Sequence, residues 1–190
     1  MTCYSLRMRA SVPLDLKALG LWTSPGPRVS YPHLGPIDSK LVDLAWYLDL
    51  WRPSAVLYDH PVGEGRPGEE IEPGVYRELY RSLTRLRVDV VLLCGKTLWA
   101  VEAKYEADPH ALGQALVYAD LLQRQLPTGY RSKPAVLCWH GLPDTAATYE
   151  RLRVKVWELE PLAERIGIRD LGPSDPRRVG DVLESMGLSQ

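Results

Sequence analysis

The chain has no phenylalanine, no asparagine, no long apolar run and little net charge, and it has only three cysteines. Cys3, Cys94 and Cys138 are odd in number and widely spaced. Within one chain they cannot build a disulfide framework, a four-thiolate zinc site or an all-cysteine iron–sulfur cluster. Their pattern is that of small buried thiols in a reducing, intracellular (cytoplasmic) protein. No apolar run approaches the ~20 residues of a transmembrane helix. The opening Met-Thr-Cys-Tyr-Ser-Leu-Arg lacks the apolar stretch of a signal peptide. The sequence therefore predicts no membrane association. Absence of asparagine fits a thermophilic source, and a GC-rich genome would give a similar bias. A formal charge of −1 excludes a wholly basic nucleic-acid coat but not a local basic site. There is no G-x-x-x-x-G-K-S/T loop and no G-x-S-x-G elbow, so nucleotide-driven and serine-based hydrolysis are not expected. His33, His60, His110 and His140 show no metal-ligand spacing.

What is present is one domain's worth of chain, 190 residues with 45% hydrophobic and 25% charged side chains, enough to bury a core. Residues 1–36 read as a proline-rich arm with a short helical piece near Leu14–Leu21. The spacing of Leu41, Leu44, Ala45, Leu48 and Trp51 predicts a helix over Ser39–Trp51, capped by Asp38 or Ser39. A strand over Ser54–Val62, a loop over Gly63–Gly74 and a helix over Val75–Leu86 follow. Two strands, Arg87–Cys94 and Thr97–Lys104, come next. A longer helix begins with Asp108 as N-cap and Pro109 at its first position, and carries an apolar stripe of Leu112, Ala115, Leu116, Ala119 and Leu122. Strand, helix and strand then cover Ala135–Trp139, Thr145–Leu152 and Val154–Leu159. The tail from 161 to 190 carries a short helix near Arg177–Met186. This order predicts an α/β domain over residues 37–160, with a central mixed sheet flanked by helices on both faces.

The sharpest feature is the pair of strands joined at Gly95-Lys96, which suits a two-residue type II′ turn. Counting back from that turn puts Cys94 opposite Thr97, Leu92 opposite Trp99, Val90 opposite Val101 and Asp89 opposite Glu102. Two carboxylates are then expected face to face, about 5 Å apart at Cβ. Lys104 shares the face of Glu102. The flanking residues are apolar on both faces, so the two anions repel in a desolvated place and need a cation between them. A magnesium or manganese ion held by Asp89, Glu102 and the carbonyl of Ala103 meets that need. Asp43 is the candidate for a further acidic ligand from the first helix, with Asp38 and Glu78 as rivals.

Val88-Asp89-Val90-Val91 followed by Val101-Glu102-Ala103-Lys104 resembles the PD-(D/E)XK nuclease superfamily, over about residues 38–140. Val88 stands where the loose motif carries proline. Gln114-Ala115-Leu116-Val117-Tyr118 resembles the Q-x-x-x-Y signature of its RecB-type exonuclease branch. The resemblance implies a restriction-endonuclease-like core with a metal-dependent site. Asp89, Glu102 and Lys104 would be catalytic, and Gln114 and Tyr118 would place the nucleic-acid strand and the lysine. Gln114 and Tyr118 stand at i and i+4, on one helix face off the apolar stripe.

Arg77, Arg81 and Arg85 recur at four-residue spacing and lead into Arg87 on the Asp89 strand. Such a stripe could bind backbone phosphates, with Tyr76 and Tyr80 stacking on bases. Arg124, Arg131 and Lys133 form a second basic group. The resulting expectation is a Mg²⁺- or Mn²⁺-dependent nuclease that acts on DNA in preference to RNA and admits a homodimer. The alternatives are a junction-type endonuclease and a non-catalytic nucleic-acid-binding module.

Overall fold

The computed structural model describes residues 12–28, 30–31 and 33–168. Arg169 onward, including the helix expected near Arg177–Met186, lies outside the described residues. Five strands form one mixed sheet in the order β1-β2-β3-β4-β5, with β1 Ala55–Val62, β2 Leu86–Cys94, β3 Thr97–Ala107, β4 Arg131–Gly141 and β5 Lys155–Glu158. The first three are antiparallel neighbours, and β4 and β5 join in parallel. Parallel neighbours require crossovers, which α3 (Pro109–Gln123) and α4 (Pro143–Arg151) supply. Helix α1 (Pro36–Tyr47) precedes β1, α2 (Val75–Leu83) joins β1 to β2, and α5 (Glu160–Glu164) follows β5. No helix among the described residues is long and apolar enough to cross a membrane.

The alternation of strand side chains builds two cores. Val90, Leu92, Val101, Ala103, Ala135 and Leu137 pack with Leu41, Leu44 and Ala45 of α1. On the opposite face Val91, Leu93, Leu98 and Ala100 pack with Tyr118, Ala119 and Leu122 of α3. The expected helix on each face is therefore present, and the central strands are covered on both sides. The segment before α1 joins this core: Leu16, on a 3-10 helix Leu14–Leu19, is fully buried, and Thr23 bridges to Val56.

Helix boundaries differ from the sequence expectation where proline and left-handed residues intervene. Helix α1 begins at Pro36, whose fixed φ suits the first turn, with Gly35 rather than Asp38 or Ser39 as N-cap. Asp38 thereby becomes a first-turn residue. The helix ends at Tyr47 instead of Trp51, because Asp49 turns left-handed at φ 50°. Asp49 N–H then donates to Trp46 and Leu50 N–H to Ala45, a Schellman ending. Helix α4 ends in the same way, with Arg153 at φ 56° and its neighbour Val154 donating to Tyr149. A left-handed conformation costs a non-glycine residue about 1–2 kcal/mol, and glycine's extra chain entropy returns part of that. Arg153→Gly is therefore expected to stabilise the protein by about 0.5–1 kcal/mol, measured as an upward shift in the urea midpoint with an unchanged m-value. Helix α2 ends at Leu83, so Arg85 leaves the helix that was expected to carry it.

Candidate active site

The hairpin register was legible up to one residue from the site. Gly95 adopts φ 61°, as a II′ turn requires, and Cys94↔Thr97, Leu92↔Trp99 and Val90↔Val101 pair as expected. There the β2–β3 ladder stops, so Asp89 and Glu102 do not form the expected cross-strand pair. Strand β2 stays with β1 as far as Val62↔Leu86 and parts from β3. Asp59, level with Asp89 in that register, marks the departure with φ 53° in mid-strand. Aspartate tolerates this conformation better than most residues. Its Oδ2 is held by Arg87 Nη1 at 2.8 Å and lies 3.3 Å from His33 Nε2. This strained position was not anticipated. The signal for it was an aspartate level with Asp89 on a largely apolar strand.

The Asp89 carboxylate fills the gap so opened. Its Oδ2 accepts the backbone N–H of Ala103 at 2.8 Å, where a continuing ladder would have supplied a carbonyl. In an extended strand the N–H and C=O of one residue point to the same edge, so the Ala103 carbonyl faces the same gap. Glu102 is 1% exposed. Its Oε1 lies 3.0 Å from Lys104 Nζ, and its Oε2 is buried with no hydrogen-bond partner. Burial, together with the charge of Glu102, pushes the Asp89 carboxyl well up from the ordinary value. Burial also raises Glu102, against the pull of Lys104. Burial opposes the Lys104 charge, but Glu102, Asp38 and Asp89 outweigh it and hold the ammonium above its usual range.

Helix α3 covers this trio. Asp108 caps its N-terminus by accepting from Ala111 N–H at 2.7 Å, and Pro109 occupies the first turn. Gln114 Nε2 donates to Tyr118 Oη at 3.0 Å, while Gln114 Oε1 is buried without a partner. Burial, and then the negative charge of Glu102, raise the Tyr118 hydroxyl. Tyr118 also belongs to the apolar core beneath α3, contrary to the expectation that it stands off the stripe.

From the other face Asp38 comes into electrostatic range of Asp89, Glu102 and Lys104. Burial raises its carboxyl and Lys104 lowers it. Asp43, the sequence candidate, points elsewhere and accepts from Tyr31 Oη at 2.8 Å. At 3.6 residues per turn the two lie about 140° apart around the helix, so they face different sides. Glu78 lies on α2, paired with Arg81 at 3.6 Å.

The basic stripe is partly engaged within the protein, with Arg81 paired to Glu78 at 3.6 Å. Arg77 donates to the carbonyls of Ile71 and Glu69, Arg85 to that of Pro61, and Arg87 to Asp59. In the second group, Arg124 pairs with Asp120 and Lys133 lies over the Trp99 ring at 5.3 Å.

No cluster of three or more histidine, cysteine, aspartate or glutamate side chains among the described residues is arranged to hold a metal. Two carboxylates and one carbonyl remain as donors. All are oxygen, the set a hard divalent cation takes, with water completing its shell. The unpartnered Glu102 Oε2 and the raised Asp89 carboxyl fit such an ion, because both are costs that a cation removes. Comparison of the chain with family models, with curated proteins and with solved structures finds no match.

Proposed function

We propose that this protein is a metal-dependent nuclease with a restriction-endonuclease-like core, hydrolysing nucleic-acid phosphodiesters, DNA before RNA. The observation that carries this reading is the convergence of Asp89, Glu102 and Lys104 where β2 leaves β3, beneath the Gln114–Tyr118 pair. The buried Glu102 Oε2 has no hydrogen-bond donor and would be satisfied by a cation. Asp89, Glu102 and the Ala103 carbonyl would hold Mg²⁺ or Mn²⁺. When bound, the ion would polarise a phosphoryl oxygen and lower the pKa of a water.

The protein's own groups supply the rest. Lys104, a third exposed and fully charged, presents its ammonium to the charge that grows on phosphate. Its bond to Glu102 fixes the direction in which it points. Tyr118 accepts from Gln114, so its own hydroxyl proton is free to donate toward the carboxylates or a substrate oxygen.

The test is cleavage of single- and double-stranded DNA and of RNA with Mg²⁺, with Mn²⁺ and with EDTA. Lys104→Ala is expected to lower kcat by about 10²–10³-fold, the usual cost of one stabilising donor, while leaving metal affinity within a few fold. Cleavage that persists in EDTA, or in Lys104→Ala at the wild-type rate, would sink this reading.

A further inference from the structure

Helix α2 is amphipathic, and its faces are inverted. Val75 is 81% exposed, Tyr76 79%, Leu79 51% and Leu83 68%, and no residue of the helix is buried. Leu86, just beyond, extends the same exposed apolar stripe. The polar side faces the Gly63–Gly74 loop instead. Arg77 bonds to Ile71, the Thr84 hydroxyl accepts from Arg66 N–H at 2.8 Å, and a Cβ on Gly65 would lie 1.9 Å from the Arg81 carbonyl. A helix that ties Arg77 into its own loop and turns leucines to water is built to be covered.

We propose that the cover is a second copy of this chain, with α2 packed antiparallel on α2 about a two-fold axis through Leu79. Three observations select this occupant. The stripe is symmetric about Leu79, with Val75 four residues before it and Leu83 four after. A two-fold pairing therefore matches Val75 with the partner's Leu83, and Leu79 with its own copy. Charge also complements itself. The exposed acids Glu69, Glu70 and Glu72 lie before the N-terminal end, and the exposed Arg66 lies against the C-terminal end through its bond to Thr84. Antiparallel packing brings the acidic end of one copy to Arg66 of the other. Finally, Glu78 is the one charged residue among the exposed positions of α2. Arg81 beside the stripe is paired with Glu78 and Arg66 sits at its far end, so the stripe itself offers nucleic acid or an anionic lipid surface no free cation, whereas an interface core is depleted of charge.

The helix is nine residues long, or about 14 Å. That is less than a standard interface of ~800 Å² per partner needs, so the expected association is on the order of micromolar. The test is sedimentation of the full chain from about 1 to about 100 μM, independent of any catalytic assay. The weight-average mass is expected to rise from 21.4 kDa toward twice that value. Leu79→Glu is expected to weaken the dimer at least about 30-fold, as loss of a central contact does, with an unchanged far-ultraviolet spectrum because Leu79 is exposed. Leu79→Cys is expected to oxidise to a dimer whose disulfide joins position 79 to position 79. A chain that stays monomeric overturns the proposal. So does association unaffected by Leu79→Glu, or a disulfide from position 79 only to a native cysteine.

Discussion

Asp89→Asn is expected to raise the melting temperature of the metal-free protein while removing about 10³-fold of its metal-dependent cleavage. The two effects have one cause. Asp89 and Glu102 are buried acids within range of each other and of Asp38, and among the described residues the cation beside them is Lys104, already spent on Glu102. An amide at position 89 keeps the acceptor for Ala103 N–H, because asparagine retains one carbonyl oxygen in the same place. It adds an N–H₂ that can satisfy the unpartnered Glu102 Oε2. It also removes one charge that burial penalises. Relief of a buried like-charge contact is worth about 1–2 kcal/mol at neutral pH, or about 3–6 °C for a chain of this size. The same amide cannot serve as an anionic metal ligand, so the site loses half its side-chain charge. Calorimetry in EDTA and a cleavage assay in Mg²⁺, run on one preparation, read both halves. A variant less stable than wild type in EDTA would mean that Asp89 is a structural acceptor and not a strained functional acid.

How much of this was legible in the sequence follows from which interactions are local. The hairpin register was, because a two-residue turn at Gly95-Lys96 fixes pairing for several residues on each side. Local pairing rules carry no information about where two strands part. The ladder therefore ended one pair before Asp89 and Glu102, and a carboxylate–amide bond replaced the expected face-to-face pair. The N-cap of α3 was readable because Asp108 and Pro109 act within one turn. The acid on α1 was not. Choosing Asp38 over Asp43 needs the rotation of the helix about its axis, set by Pro36 and by the packing of Leu41, Leu44 and Ala45 on the sheet. The arginine periodicity holds on the helix for Arg77 and Arg81 only, because α2 ends at Leu83. Spacing places side chains on one side of a helix, and only tertiary packing says whether that side meets solvent or a loop. Here the Gly63–Gly74 loop took Arg77, Arg81 paired with Glu78, Arg85 reached Pro61 on β1, and the apolar stripe was left outside.

Without metal, the contribution of Asp89, Glu102 and Asp38 to stability is expected to fall as pH rises from about 4 toward neutrality, while buried His60, lowered by desolvation, works in the opposite direction. The sign follows from proton counting. Asp89, Glu102 and Asp38 all titrate above their ordinary values in the folded protein, chiefly through burial. Between the ordinary carboxyl values and these raised ones the folded state holds protons that the unfolded chain has released. The carboxylates' contribution to stability then decreases with pH, and it is fully lost once the folded pair has ionised. Lys104, raised in the folded state, keeps its contribution throughout this window, because its loss begins only near 10.5. Mg²⁺ binds the ionised pair in preference to the protonated one. Its stabilisation is therefore expected to be small near pH 5 and to grow with pH, reaching about 2.7 kcal/mol at a hundred times its dissociation constant. Melting curves in EDTA and in Mg²⁺ should diverge as pH rises, and Asp89→Asn should flatten the first and bring the second onto it. Parallel curves at every pH would mean that the two carboxylates titrate independently of any ion.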